Sequence, residues 1–292
     1  MNKKYKLEEY IEIINNYIDK VIPDCFFGED VVHQAMKYSL SVGGKRIRPV
    51  LTLEFCRLCG GEINKALPFA VAAEMIHTYS LIHDDLPCMD DDDMRRGMPS
   101  CHIKFGEEYA LLAGDALLTR AFGVLTESEA SSEAVVKAVS LLSELSGVSG
   151  MIGGQVVDLK NEDRPCTIEV LETMDSLKTG ALIKCASLLG VIAAGGNAQQ
   201  YEAARCFSEN LGHAFQIVDD ILDVIGDEKE LGKPIGSDRE SGKSTYVSVL
   251  GLEKSQQYAK DITAKAIEAL SIFGDDADFL KELAEKLINR KN

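Results

Sequence analysis

Two clusters of carboxylates carry the strongest chemical signal in this sequence. The first is "HDDLPCMDDDDMRRG", His83 to Gly97, in which Asp84 and Asp85 close the apolar run "AEMIHTYSLIH". The second is "FQIVDDILD", in which Asp219 and Asp223 are four residues apart and share one helical face with Gln216. Oxygen-rich clusters of this kind suit a hard cation such as Mg²⁺. That ion is usually held by one or two carboxylates together with substrate phosphates. Asp90 is six residues beyond Asp84, which on a continuous helix would turn it well off the same face. Pro87 disfavours helix continuation, so Asp90 is expected to curl back from a loop beside Asp84. Asp219 and Asp223 on a mostly apolar helix are costly unless a cation sits with them.

Cationic side chains complement these acids. "GGKRIRP" presents Lys45, Arg46 and Arg48 in a glycine-started loop, and Arg95 and Arg96 follow the first acidic cluster. Lys178 lies in "SLKTGALI", Lys233 in "LGKPIG" and Lys243 in "SGKSTY". Forked guanidinium groups and ammonium point charges of this kind are what a diphosphate requires. "GSDRESGKST" misses a phosphate-binding P-loop, because Ser237 occupies the position of its first glycine and no strand precedes it. His77 lies two helical turns before Asp84. His33, His102 and His213 show no partners that would support a nucleophilic triad.

The elements that must position these groups are helices. Apolar residues recur at helical spacing in "YIEIINNYIDKVI", "KALPFAVAAEMIHTYSLIHD", "EEYALLAGDALLTRAFGVL", "EAVVKAVSLLSELSG" and "QQYEAARCFSENLGHAFQIVDDILDVI". Period-two alternation is absent. No low-complexity linker or solenoid period occurs. The expectation is therefore all-α: one large single-domain helical bundle over residues 1–292.

Composition narrows the function classes. With 47 acidic against 31 basic residues, the net charge is −16, which disfavours nucleic acid and acidic membrane surfaces as partners. The 292 residues, 46% hydrophobic, are ample for a buried core. Eight scattered cysteines imply reduced thiols and a cytoplasmic location. The Cys56–Cys59 pair has no second pair to complete a zinc site, so it is expected in a helical core. No targeting peptide is evident, and no stretch of about 20 apolar residues is expected to span a bilayer.

At this point the residues resemble a known family, the trans-isoprenyl diphosphate synthases. "SLIHDDLPCMDDDDMRRG" and "FQIVDDILD" resemble its two aspartate-rich motifs. "GGKRIRP", "GGQVVDL", "KTGALI", "LGKPIGSD" and "GKSTYV" match further signatures in order, from about Ser39 to Val247. The resemblance implies a helical bundle around a central cavity and a homodimer. It implies that Asp84 and Asp90, in a motif that includes Asp85, hold two Mg²⁺ ions against an allylic diphosphate. Asp219 would hold a third, with Asp223 acting through water. Arg95, Lys178, Lys233 and Lys243 would contact that diphosphate. Lys45, Arg48, His77 and Arg96 would hold isopentenyl diphosphate. Thr179, Gln216 and the Lys178 backbone would face the carbocation.

Chain length should be set just before Asp84, by Tyr79 and Ser80. An aromatic at Tyr79 with the two-residue insertion in "DDLPCMD" resembles the bacterial farnesyl type, which implies a C15 product. A geranylgeranyl-type C20 product is the alternative. A class I terpene cyclase, or a non-catalytic subunit of the same fold, is a reading from another class. The first would not need the "GGKRIRP" loop, and the second would usually have lost an aspartate motif.

Overall fold

The computed structural model describes residues 3–22, 30–161, 164–226 and 243–289. It is all-α, as expected. The chain folds as two compact units, residues 1–139 with 192–195 and residues 140–191 with 196–292.

The first unit contains α1 (Leu7–Val21), α2 (Asp30–Ser41), α3 (Ile47–Leu58), α4 (Ile63–Asp84), α5 (Cys101–Phe105) and α6 (Glu107–Leu125). Helix α4 is its centre and packs on α3 and α6. Its buried residues run almost without break from Ala66 to Ile76 and include Tyr79 and Ile82. That all-round burial is why its sequence shows so little polar face. Cys56 is buried in α3, as the core reading of the cysteine pair expected, and burial pushes the Cys56 and Cys59 thiols up to about 12.

Between α4 and α5 lies a feature that the sequence does not announce. Met94–Arg95 and Met98–Pro99 pair as a two-stranded antiparallel hairpin. Arg96 (φ 54) and Gly97 (φ 76) form its turn, and two consecutive positive φ values give the twist that tight hairpins prefer. Strands of two residues are too short to leave a period-two pattern.

The second unit contains α8 (Met151–Asn161), α9 (Ile168–Asp175), most of α10 (Ala181–Ala194), α11 (Ala198–Ile225) and the helices Tyr246–Leu250, Leu252–Ala269 and Asp278–Ile288. The boundary between the units falls within α7 (Ser132–Ser146). Asn197 caps α11: its side chain accepts from the Gln200 N–H at 3.0 Å, and the Gln200 side chain accepts from the Asn197 N–H at 2.9 Å. Such reciprocal caps fix where a helix starts. Here the cap sets the phase of the helix that carries Asp219 and Asp223.

Two helical stretches, Ser132–Asn161 and Ile168–Ala194, are long and apolar enough to cross a membrane by length and composition, against the expectation that none would be. The first is interrupted by the turn at residues 147–150. In the second, 61% of the most apolar window is buried inside the protein, as a core helix would be.

Candidate active site

The end of α4 builds the first carboxylate cluster. The chain leaves the helix at Asp85 and turns through Pro87, and the Asp90 N–H donates to the Asp84 carbonyl at 2.9 Å. The curl-back expected from Pro87 is therefore present, and Asp84 and Asp90 are neighbours. Asp85 is directed elsewhere. It is 2% exposed and accepts from Arg95, including a 2.9 Å bond from Arg95 Nε. Burial raises its carboxyl above the usual range, with Arg95 opposing the shift. Arg95 also reaches Asp92 at 3.0 Å. The expectation grouped Asp85 with the metal-facing acids, whereas the geometry makes it the anchor of Arg95. Adjacent helical residues diverge by about 100°, so the two acids of a DD pair cannot share one face.

The GGKRIRP loop folds around a buried ion pair. Arg46 stands at the start of α3 in a left-handed conformation (φ 50) and meets Glu74 of α4 at 2.8 Å. It also donates to Asn15 at 3.1 Å and to the Leu40 carbonyl. Arg46 is thus structural, while Lys45 is exposed. Gly44 (φ 116) has a backbone conformation that side chains rarely adopt, and a Cβ there would also push the Arg96 guanidinium, 2.5 Å away, aside. Arg96 itself donates to the Gly43 carbonyl. Among the described residues, three that are not glycine have positive φ, namely Arg46, Asp91 and Arg96, and all lie in these two loops. Strained backbone of this kind concentrates at ligand-binding sites.

These loops surround His77 with positive charge. Burial lowers its imidazole well below the usual range, and Arg48, Arg96, Arg95 and Arg46 lower it further. His77 is therefore neutral at pH 7. Arg48 Nε is buried without a hydrogen-bond partner, and burial lowers the group to about 10 with Arg96 assisting and Glu74 opposing. Arg46 is spent on Glu74 and Arg95 on Asp85 and Asp92. Arg48, with its buried Nε unspent, and Arg96 are the cations near neutral His77 that a polyanion would satisfy. Further along α4, Tyr79 is 5% exposed, and Ser80 Oγ donates to the His77 carbonyl at 2.9 Å. His102 Nδ1 shares a hydrogen bond with Ser100 Oγ at 3.0 Å.

In the second unit a pocket brings together Lys178, Thr179, Gln216 and Lys243, four of the expected site residues. Lys178 and Thr179 lie on a π-helical turn, Ser176–Gly180, inserted between α9 and α10. Such turns often mark functional sites because they free backbone groups from the regular ladder. Gly154 of α8 allows the approach: a Cβ there would lie 2.2 Å from the Lys178 nitrogen. Thr179 Oγ1 is 3.4 Å from Gln216 Oε1. Asp219 is half-buried and Asp223 buried on α11, but neither lines this pocket. Lys233 lies outside the described residues.

Three acids of this pocket were not singled out from the sequence. Asp158 meets Lys178 Nζ at 2.5 Å. Asp220 accepts from Gln216 Nε2 at 3.3 Å and from the Tyr246 N–H at 2.8 Å. It thereby pins the start of the helix Tyr246–Leu250, where Thr245 caps Ser248 at 3.1 Å, and so holds the segment carrying Lys243. Asp175 is 3% exposed. Burial pushes its carboxyl up to about 8; Asp220 and Asp158 add to the push, while Tyr246 and Lys178 oppose it.

The donor set fits Mg²⁺. Among the described residues no three acidic, His or Cys side chains form a ready-made cage. Mg²⁺ seldom uses one, preferring one or two carboxylates completed by water and phosphate oxygens. Asp84 and Asp90, joined through their backbones, and Asp219 and Asp223, one turn apart on α11, are the candidates for such pairs.

With this geometry in place, comparison with known proteins gives a consistent result. The chain belongs to the polyprenyl synthetase family, which it matches over residues 29–285. It is 41% identical to the farnesyl diphosphate synthase of Escherichia coli (strain K12), over 99% of each chain. It is also 42% identical to the geranylgeranyl diphosphate synthase of Cyanophora paradoxa, over 98% of this chain and 96% of that one. Among solved structures, an FPP/GFPP synthase from Zymomonas mobilis superposes with a TM-score of 0.87 at 34% identity, covering 97% of both chains.

Proposed function

We propose that this protein is a trans-prenyltransferase that condenses isopentenyl diphosphate head-to-tail with dimethylallyl and geranyl diphosphate, and that its product is C15 farnesyl diphosphate. The observation that carries the reading is Arg48, with its buried and unpartnered Nε, and Arg96 acting on neutral His77, a diphosphate-type set additional to the Lys178–Lys243 pocket. A cyclase that ionises one diphosphate has no use for a second such surface.

In this reading Lys178, Lys243, Lys233 and Arg95 hold the allylic diphosphate, and Lys45, Arg48, His77 and Arg96 hold isopentenyl diphosphate. Asp84, Asp90 and Asp219, with Asp223 in support, would hold Mg²⁺, which would supply neutralisation of the negative charge that develops on the departing diphosphate. Three ions are expected with diphosphate bound. The Thr179 and Gln216 side-chain oxygens and the Lys178 backbone face the allylic cation. The double bond of isopentenyl diphosphate then attacks that cation, and a proton leaves the new carbon chain for the released diphosphate. Apolar helices keep water from capturing the cation.

Tyr79, whose ring fills far more volume than Ser80, forms the floor that stops growth at C15. Relatives of both C15 and C20 type match this chain, so the product is the finer part of the reading. A cytoplasmic homodimer is the expected state. The test is incubation with isopentenyl diphosphate and each allylic primer, with product length read by chromatography. C15 supports the reading, mostly C20 overturns the product assignment, and no condensation at all overturns the function.

A further inference from the structure

Tyr79 is held in an unusual way. Its ring is buried, yet its hydroxyl is buried with no hydrogen-bond partner. An unsatisfied hydroxyl favours any alternative position that would restore a hydrogen bond. The observed position must therefore be imposed by what touches the ring. One helical turn further along α4, His83 meets the Tyr79 ring edge-on, with centroids 5.7 Å apart and planes at 80°. His83 in turn is fixed from α6. Its Nε2 is 3.0 Å from the Leu111 carbonyl, which implies the Nε2–H tautomer as donor, and Asp115 lies 4.0 Å from the same nitrogen. The imidazole lies over Gly114, where a Cβ would come within 2.1 Å of Nε2 and 2.4 Å of Cδ2. These are the distal atoms of the imidazole, so a side chain at this position would displace His83 from its place on α6.

We propose that His83 and Gly114 are product-length determinants that act through Tyr79, His83 as the bracket that ties the floor ring to α6 and Gly114 as the space that admits the bracket. The inference rests on the proposed role of Tyr79 as the floor. His83 is a positioning residue here, because it touches the floor and not the substrate. Released from His83, the Tyr79 ring is free to turn toward a partner for its hydroxyl and open room for another five-carbon unit.

The experiment compares C20 to C15 product ratios of the full chain and the variants Y79S, H83A, H83Q, G114A and Y79S/H83A, all with geranyl diphosphate and isopentenyl diphosphate. Removing an edge-to-face contact is expected to raise the ratio about 2- to 12-fold in H83A. G114A, which retains the imidazole but displaces it, should move the ratio in the same direction. H83Q, which keeps an N–H donor for the Leu111 carbonyl, should recover part of the C15 preference. The double variant should match Y79S alone, since the bracket has no effect without its ring. His83 adjoins Asp84, so turnover can fall in H83A for other reasons; the product ratio and the non-additivity are what a merely structural role would leave unmoved. If Y79S lengthens the product while H83A and G114A keep the wild-type ratio, the bracket is overturned and the floor stands. If Y79S keeps the wild-type ratio, the floor itself is overturned.

Discussion

The Asp90 backbone N–H donates to the Asp84 carbonyl at 2.9 Å, closing the loop that follows α4 and bringing the backbones of these two residues together. The bond uses backbone groups only, so it does not depend on either carboxylate. Asp84→Ala should therefore leave the loop and its helix intact. In the proposed function it removes an oxygen ligand from the ions that stabilise the leaving group, and Asp219→Ala does the same for the second cluster. Each substitution is expected to lower turnover by orders of magnitude with an unchanged far-UV circular dichroism spectrum. Near-wild-type turnover in either variant would refute the metal assignment.

The two cationic surfaces should be separable by kinetics. Arg96, at the turn of the hairpin and tied to the Gly43 carbonyl, belongs to the group around His77. Lys178 belongs to the pocket with Thr179, Gln216 and Lys243. Loss of one charge-assisted contact costs about 1.5–3 kcal/mol, or roughly 10- to 150-fold in binding. Arg96→Ala should raise KM for isopentenyl diphosphate by that order, with a smaller change for the allylic primer. Lys178→Ala should do the reverse. Equal effects on both substrates in both variants would mean that the division of the cationic residues is wrong.

A different substitution tests the frame beneath the first surface. The Arg46–Glu74 pair is almost fully buried, with side chains 4% and 3% exposed. Removing one partner leaves the other charged in a dry environment, at a cost of about 3–5 kcal/mol. Glu74→Ala should destabilise the protein by that amount in chemical denaturation. It should also weaken isopentenyl diphosphate binding, because Arg46 fixes the left-handed entry to α3 that presents Arg48. A stability loss under about 1 kcal/mol would indicate that the arginine finds water or another acid.

Much of this architecture was legible in the sequence because it depends on local spacing. The helical periods and the turn at Pro87 follow from residues fewer than ten apart. What was not legible depends on residues far apart in the chain. Nothing local says that Asp158 pairs with Lys178, 20 residues on, or that Asp220 reaches the Tyr246 N–H, 26 residues away. The two DD pairs show the difference. In each, helix geometry dictates that one acid must turn away, but only the fold shows that Asp85 goes to Arg95 and Asp220 to Tyr246. The π-helical turn was equally hidden, since "SLKTGALI" is compatible with a regular helix and it is Gly154, opposite Lys178, that accommodates the wider turn.

Asp175 gives the fourth prediction, in which the direction of a pH effect decides the outcome. Its carboxyl lies buried among Asp158, Lys178, Asp220 and Tyr246, and it is pushed up to about 8 from an ordinary value of 3.8. A folded-state value above the unfolded one means that the folded protein holds a proton that the unfolded chain gives up. The associated stability is fully present below about pH 4 and is lost progressively as pH rises to about 8, above which the loss is complete. Asparagine has nearly the same shape and cannot ionise, so it removes this penalty. Asp175→Asn should therefore be more stable than the wild type at pH 8, by an amount on the order of a few kcal/mol. The advantage should shrink as pH falls and vanish near pH 4. Thermal unfolding of both proteins across that range supplies the measurement. Wild-type and variant curves that run parallel from pH 4 to pH 8 would show that Asp175 is ionised in the folded state, held by Lys178 rather than by a proton.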